Sequence, residues 1–409
     1  MKTLSILATR TSSFLLKLVG HGGSMPGTIG LKLDSNILHK LTFKGPVILV
    51  TGTNGKTSTA NMITDLMINA GYTVISNRKG DNLKAGITTT LLTNTAFNGK
   101  LKADACVLEV DELSVRHILP NIPVTDFVVN NFFRDQLDRA REMEQLIHSI
   151  EDVLPDYTGE LVLNGNDPNV SRLSLKAPKA HCTYFGIDKN QYSLSSTKEA
   201  SEGKFCPKCG SKLTYDYYQY SHIGKFQCTN CDFGTPDLDV SLHDIDLDKE
   251  TFIYADHPFK SPYEGMYSMY NCSAVLAIAK LFHIDLQCVE NVFAHAPQPA
   301  GRNEHFDKDG NQCILNLVKN PTGANEVMKV IEKDHEDKYI CIVLNDREQD
   351  GTDVSWIYDT FFEKLMNHST KKIICTGLRA NDMALRIYYG GYKGPIEVVN
   401  KIVEAISLS

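Results

Sequence analysis

The chain has 409 residues, 42% of them apolar and 22% charged, with 42 Lys+Arg against 49 Asp+Glu and a formal charge of −7. That length suits two to three domains at roughly 100–200 residues each and is ample for several buried cores. The composition excludes a disordered chain, and the slight acidity argues against a protein that coats nucleic acid or anionic lipid over its whole surface, although a local basic patch fits within it.

Residues 1–40 form an N-terminal segment in which Leu4, Leu7, Phe14, Leu15 and Leu18 fall near one helical face. Arg10 and Lys17 interrupt it, and no run approaches the roughly 20 apolar residues that a bilayer needs. The expectation is a short amphipathic helix whose apolar face packs on the protein rather than on a membrane surface. From Pro46, PVILV is a short apolar run bounded by turn residues, as in a buried parallel strand. TGTNGKTS follows, then a helical pattern over TANMITDLMINAGY that ends at Gly71. TVIS, ACVLEV (Ala105 to Val110), DFVVNN (Asp126 to Asn131) and GELVLNGNDP read as further strands. Strands alternating with helices indicate βαβ units and a parallel sheet covered on both faces.

Residues 203–234 break this rhythm and read as an insertion within a domain spanning 41–297. A helix is expected from about Met266 to Phe282. HAPQPAGRNEHF, punctuated by Pro and Gly, marks a boundary near residue 298. Beyond it, over 298–409, CILNLV, YICIVLND, KIICTG and IEVV form a second βα series, with a helix over VSWIYDTFFEKL. There are eleven cysteines, and seven of them are scattered, several inside apolar runs such as CIVL and KIIC. That usage fits small core residues in a reducing, cytoplasmic compartment better than a disulfide framework.

Gly52-Thr53-Asn54-Gly55-Lys56-Thr57-Ser58 lies between a strand and a helix. Such a loop aims backbone N–H groups and the helix dipole at an anion. Gly55 lets the backbone approach phosphate oxygens, Lys56 reaches them as a point charge, and the Thr57 hydroxyl suits Mg²⁺. Val50 stands where the full GxxxxGK[ST] pattern has its first Gly. The bland alternative is a Gly-rich turn with an incidental Lys. Glu109 ends the third strand, where ligands of parallel sheets gather, and could hold Mg²⁺. Asp111 and Glu112 compete with it, and a capping or solvated acid is the plain reading.

Cys206 and Cys209, and Cys228 and Cys231, are two CxxC pairs with 18 residues between them. Four thiolates at this spacing close a tetrahedral Zn²⁺ site with no open position, which makes it structural. LTYDYYQY between the pairs is rich in Tyr but poor in basic residues, so packing on the host domain is favoured over base stacking.

GTNGKTS after VILVT, followed in order by LEVDE, NNFFRDQLDR, LNGNDP, GMYSMYN and AGRNEHF, resembles the Mur ligase superfamily over residues 46 to about 306. LVKNPTGANEV, NDREQDGTDVSW and the insertion with its four cysteines extend the resemblance over nearly the whole chain, to the amidating members of that superfamily. The resemblance implies an α/β fold: a central P-loop domain with a parallel sheet, a four-cysteine zinc-ribbon insertion, and a C-terminal Rossmann-like α/β domain. It implies an ATP- and Mg²⁺-dependent ligase. The α-carboxylate of D-Glu in the lipid II stem peptide would be phosphorylated, and ammonia would attack the acyl phosphate to give D-isoglutamine. The ammonia would come from a class I glutaminase subunit of GatD type in a heterodimer working at the inner face of the membrane, without nucleic acid.

By the same resemblance, residues 53–58 hold ATP with Lys56 catalytic, Asn271 lies on the adenine side, and Arg302 lies on the phosphate side. Asp353 would complete, across the subunit interface, a Cys-His-Asp triad of the glutaminase, although Asp353 is also a good helix N-cap. The chain departs from the pattern in three places. Gln136 replaces a common His, HNxxN is reduced to Asn271, and DYAHNP reads Leu317-Val318-Lys319-Asn320-Pro321. The last change is consistent with ammonia in place of an amino acid. With only about 40 residues before the first strand, a nucleotide-sugar domain is not expected, which favours a lipid-linked substrate. The rivals are a folylpolyglutamate synthase-like ligase and a zinc-ribbon nucleic-acid-binding ATPase.

Overall fold

The computed structural model describes the chain except residues 19–22, 79–80, 134–142, 198–201, 298–300, 302–303, 309, 348–350 and 409. Residues 1–132, 146–197 and 201–297 make one compact unit, and residues 133–145, 198–200 and 298–409 a second.

The first unit is built on a nine-stranded sheet: β1 Val47–Thr51, β2 Val74–Ser76, β3 Ala105–Glu109, β4 Asp126–Val129, β5 Glu160–Asn164, β6 His181–Ile187, β9 Val240–Asp246, β10 Thr251–Tyr254 and β11 His257–Lys260. Their spatial order is β11-β10-β9-β6-β5-β4-β1-β3-β2. The seven strands from β2 to β9 pair in parallel, and β10 and β11 add an antiparallel edge. β1 is buried along its whole length, as are β3 and β4. This is why they read as unbroken apolar runs: both faces of a parallel sheet are covered. The chain leaves β1 in one direction to β3 and β2, and returns on the other side to β4, so the order reverses beside β1. That is where an open α/β sheet leaves a crevice at its carboxyl edge.

Helix α1 (Lys2–Leu18) and helix α2 (Met25–Leu33) precede the sheet. Helix α3 (Lys56–Asn69) follows β1 and ends where Gly71 takes φ +91° and Tyr72 N–H returns to the Met67 carbonyl. Helix α4 (Lys84–Thr93) packs on α1 and α2. Helix α5 (Met266–Leu281) is buried almost throughout and packs on α3 and on β5, β6 and β9. The insertion forms its own hairpin, β7 Leu213–Tyr220 with β8 Ile223–Cys228. Its tyrosines turn into the host: Tyr217 donates to the Ile187 carbonyl at 3.1 Å, and Tyr220 meets Tyr270 edge-on at 5.8 Å.

The second unit holds a hairpin, β12 Glu304–Lys308 with β13 Asn311–Leu315, and a parallel sheet of β14 Lys338–Val343, β15 Thr370–Thr376 and β16 Ile396–Val398. Helices α6 (Pro321–Lys333), α7 (Ala380–Tyr389) and α8 (Ile402–Leu408) accompany that sheet. Met328, Ile357, Leu365, Ile373, Met383 and Ile387 are core residues of this unit.

Three expectations are corrected. CILNLV does not open the parallel series. Its strand ends at Leu315, is exposed throughout, and turns back through Gly310, whose N–H donates to Asp307. The stretch 354–365 is not one helix but two 3₁₀ turns, Ser355–Asp359 and Phe362–Leu365. Tertiary partners claim its backbone: Asn325 accepts from Phe361 N–H at 2.8 Å, and Arg386 donates to the Ile357 and Thr360 carbonyls at 3.0 and 2.7 Å. Third, α1 is turned the other way round from the expectation. Ser5, Ile6, Thr9 and Ser13 are buried, while Leu4, Leu7, Phe14, Leu15 and Leu18 are exposed.

Candidate active site and metal centre

The loop after β1 needs glycine at two places. Gly52 and Gly55 have φ +136° and +81°. A Cβ on Gly55 would lie 2.2 Å from Asn271 Oδ1, so the amide of α5 fills the space that a side chain would need. The rest of the loop is held from β4. Asn131 Oδ1 accepts from Asn54 N–H at 2.8 Å, its Nδ2 donates to the Asn54 carbonyl at 3.0 Å, and its own carbonyl accepts from Thr53 N–H at 3.0 Å. Asn130 Nδ2 donates to Thr59 Oγ1 at 2.9 Å and lies 3.4 Å from Asn271 Oδ1. Asn131 thus sets the loop's shape by side-chain bonds to backbone, while Asn130 ties the side chains of Thr59 and Asn271 together. They stand in the DFVVNN run at the carboxyl end of a parallel strand, the signal that could have singled them out.

Lys56 opens α3, with its ammonium donating to the Gly52 and Thr53 carbonyls at 3.0 and 3.3 Å and standing 3.5 Å from Glu112 Oε2. Thr57 is half-buried beside it and Ser58 is buried. A cation curled over its own loop, at a helix N-terminus and beside two glycines with positive φ, fits a phosphate chain, because the donors are present.

Three acids cluster where β3 ends. Glu109 is 3% exposed, with Oε1 accepting from Asn82 at 2.8 Å. Asn77 grips its backbone on both sides, at 2.9 and 2.8 Å. Asp111 is spent on the Leu113 N–H at 3.1 Å. Glu112 is the one of the three that forms an ion pair with Lys56.

Asp167, of the GNDP turn, is fully buried and ties three segments together. It accepts from Phe132 N–H at 3.0 Å and from Asn169 N–H at 2.8 Å, and its Oδ1 lies 3.2 Å from His222 Nε2 at the tip of the β7–β8 hairpin. The insertion is therefore anchored to the carboxyl edge of the sheet through a His–Asp contact that sequence reading missed. Nothing in the spacing of His222 pointed to it.

Asp353, in the second unit, is half-exposed, and its Oδ1 accepts from Ser355 N–H at 2.9 Å. It is not a helix N-cap: it bonds two residues on, just ahead of a 3₁₀ turn whose N-cap is Val354. Arg302 and Gln136 lie outside the described residues.

The thiols of Cys206, Cys209, Cys228 and Cys231 lie within 4.8 Å of one another, with Cys206–Cys231 at 3.6 Å and Cys209–Cys228 at 3.5 Å. Thiolates about 2.3 Å from a tetrahedral Zn²⁺ sit roughly 3.8 Å apart, whereas a disulfide needs about 2.0 Å. The group can thus hold a metal ion. Cys228 Sγ accepts from Asn230 and Cys231 N–H at 3.4 Å each, the donors that a metal-bound thiolate favours. A small apolar core of Leu213, Phe226 and Phe233 backs the four sulfurs.

Residues 50–279 match the Mur ligase middle domain and residues 317–408 the MurT ligase C-terminal domain. The chain is 32% identical over 388 residues to the lipid II isoglutaminyl synthase (glutamine-hydrolyzing) subunit MurT of Staphylococcus aureus, covering 94% of this chain and 86% of that one. It is also 32% identical to the Streptococcus pneumoniae protein of the same name, with 99% and 90% covered. Among solved structures, a pseudomurein peptide ligase type C from Methanothermus fervidus superposes with a TM-score of 0.66 at 23% identity, over 90% of this chain and 70% of that one. MurF from Acinetobacter baumannii does so with a TM-score of 0.65 at 15% identity, over 93% and 73%. At those identities the likeness concerns the fold, and the fold is that of the Mur ligases. With a family domain matched over more than half its length and relatives aligned nearly end to end, the chain belongs to the Mur ligase family, in its MurT branch.

Proposed function

We propose that this ATP-dependent ligase amidates the α-carboxylate of D-Glu in the lipid II stem peptide to D-isoglutamine, with ammonia delivered by a GatD-type glutaminase partner at the cytoplasmic face of the membrane. The observation that carries the reading is the Lys56 loop: a glycine cradle closed by Asn271, shaped by Asn130 and Asn131, with its cation held ready on loop carbonyls.

A carboxylate resists attack because the nucleophile must add to a group already negative, and ATP supplies the phosphoryl group that turns it into an electrophile with a leaving group. Residues 53–58 would hold the phosphates through the α3 dipole and the loop N–H groups other than those of Thr53 and Asn54, which Asn131 already takes. Lys56 would exchange its loop carbonyls for phosphate oxygens and offset the charge that develops there. Thr57 and Glu109 are the groups to hold Mg²⁺, a hydroxyl and a carboxylate being the hard oxygen ligands it takes. Asn271, whose amide packs against Gly55, would lie on the adenine side, and Arg302 on the phosphate side.

The four cysteines would hold Zn²⁺ as a structural site with every position filled, so it takes no part in the chemistry. Asp353 would face the glutaminase and orient its catalytic His by accepting the Nδ1–H bond. Its turn, fixed by the Ser355 N–H, leaves a half-exposed carboxylate suited to that contact.

The deciding experiment combines the chain with a glutaminase subunit, ATP, Mg²⁺, glutamine and lipid II, and measures stem-peptide mass and ADP release. Loss of about one dalton per stem, with stoichiometric ADP, is expected, since –NH₂ replaces –OH. ATP left unconsumed with both acceptor and nitrogen source present would remove the reading. Folate with glutamate in place of lipid II and ammonia tests the folylpolyglutamate alternative and is expected to give no product.

A further inference from the structure

Helix α1 is fastened to the first unit by the wrong face for an ordinary amphipathic helix. Ser5 Oγ donates to the Gly30 carbonyl of α2 at 2.8 Å, and Thr9 Oγ1 lies so close to Gly30 that a Cβ there would come within 2.4 Å of it. Arg10 Nε reaches the Leu92 carbonyl of α4 at 3.3 Å, with its guanidinium over the Phe97 ring at 5.0 Å. Small hydroxyl-bearing residues thus make the close helix contacts. Leu4, Leu7, Phe14, Leu15 and Leu18, at positions that fall on one side of a 3.6-residue helix, face water with 49–68% of their surface exposed. A surface helix normally buries that stripe. Phe97, beneath the Arg10 guanidinium, is exposed as well.

The charge of this region selects its occupant. The first 33 residues contain Lys2, Arg10, Lys17 and Lys32 and no Asp or Glu, in a chain whose net charge is −7. Lys17 is exposed on α1, next to Phe14 and Leu18 in the sequence. An apolar stripe with cations and no acids, on a helix of 17 residues, is too short and too charged to cross a bilayer. With Lys2 and Arg10 held by the Asn98 and Leu92 carbonyls, it has the composition of a helix that lies in the interface, its apolar side among the acyl chains and the exposed Lys17 against anionic headgroups.

We infer that α1 is a membrane-docking helix, which seats the first unit in the headgroup layer of an anionic leaflet through Leu4, Leu7, Phe14, Leu15 and Leu18 with Lys17 at the phosphates. The purpose this serves rests on the reading of a lipid-linked substrate, because a ligase held on the surface searches for its acceptor in two dimensions. The docking itself does not depend on that reading.

The test is flotation of the full chain with phosphatidylcholine vesicles, with and without phosphatidylglycerol, at low and high salt, no lipid II being present. Binding is expected to the anionic vesicles, weakened by salt. Leu7→Glu/Phe14→Glu is expected to reduce it tenfold or more with unchanged thermal unfolding, since both side chains already stand in water. Lys17→Glu, a milder surface change that carries the test if the double variant misfolds, is expected to reduce it several-fold. The inference is overturned if the wild-type chain does not float, if both variants float as well as wild type, or if the double variant instead abolishes a concentration-dependent self-association seen without vesicles. Amidation of a water-soluble stem-peptide analogue with free ammonia is expected to be equal in wild type and variants. Its absence in all of them would count against the proposed reaction and leave the docking result standing.

Discussion

Gly55→Ala probes the loop most directly. The substitution places a Cβ at φ +81°, where an L-residue loses about 1–2 kcal/mol. The same Cβ would sit 2.2 Å from Asn271 Oδ1 and 2.9 Å from its Cγ and Nδ2. Asn271 is 3% exposed on a helix buried almost throughout, so its amide has little room to retreat. Overpacking of that kind costs about 1–3 kcal/mol. Together the two effects disfavour the native loop by roughly 2–5 kcal/mol, and at 1.4 kcal/mol per decade nucleotide affinity falls from about 30-fold to over a thousandfold. Calorimetric titration with ATP and Mg²⁺, paired with urea unfolding, measures both. The two contributions separate in a double-mutant cycle. Gly55→Ala/Asn271→Ala removes the steric part and keeps the backbone part, so a coupling of about 1–2 kcal/mol is expected between the positions. Gly55→Ala binding ATP within twofold of wild type, or a double variant no better than the single one, would refute the steric argument.

Lys56→Ala is expected to abolish amidation even with free ammonia, as read by ADP release, because it removes the ammonium that stands on the loop carbonyls. Asp353→Asn is expected to keep fold, metal content and ammonia-driven amidation while losing glutamine-driven amidation; equal glutamine-driven rates in variant and wild type would sink that assignment. Chelation or Cys228→Ser is expected to release about one Zn²⁺ per chain by atomic absorption and to lower the unfolding temperature by several degrees; a metal-free chain with unchanged unfolding would contradict a structural site. Asp126 is pushed up to about 6 by burial at the start of β4, against the opposing Thr125 hydrogen bond and with added repulsion from Glu160. A carboxyl raised above its unfolded value binds its proton more tightly when folded, so stability is lost as pH rises from about 4 through 6. Asp126→Asn is therefore expected to stabilise the chain at pH 8 by about 2 kcal/mol and to be near neutral at pH 4, measured by urea midpoints.

β1, β3 and β4 were legible because each is buried on both faces and bounded by turns, which leaves no ambiguity of period. The β1 loop and the four cysteines were legible for another reason, since their chemistry requires fixed spacing. What escaped depends on partners far apart in sequence. The backbone of 354–365 follows Asn325 and Arg386, neither of which a local pattern can enlist. The orientation of α1 was misread because apolar periodicity marks a face without saying which side of it the protein occupies; Gly30 and the hydroxyls of Ser5 and Thr9 decide that. Asn130, Asn131 and His222 act through hydrogen bonds that only the closed sheet brings into range.

The three acids after β3 illustrate how position rather than identity divides the work. Asp111 is committed to a turn N–H and Glu112 faces the Lys56 ammonium. The Glu112 carboxylate offsets a cation that is itself only 16% exposed. Glu109 has no such cation in contact among the described residues. It is fixed by the Asn82 amide and by Asn77 bonds to its backbone, all neutral donors and acceptors. A buried carboxylate held by neutral groups leaves its negative charge for a cation that comes from outside, whereas one already paired with Lys56 has given most of it up. On the proposed reading Mg²⁺ would go to Glu109, with Glu112 paired to Lys56. Glu112→Gln should then disturb the lysine, and with it ATP affinity, while Glu109→Gln should change chiefly the Mg²⁺ concentration at half-maximal rate. A matching shift in Mg²⁺ dependence for both variants would show that this division of the acids is wrong.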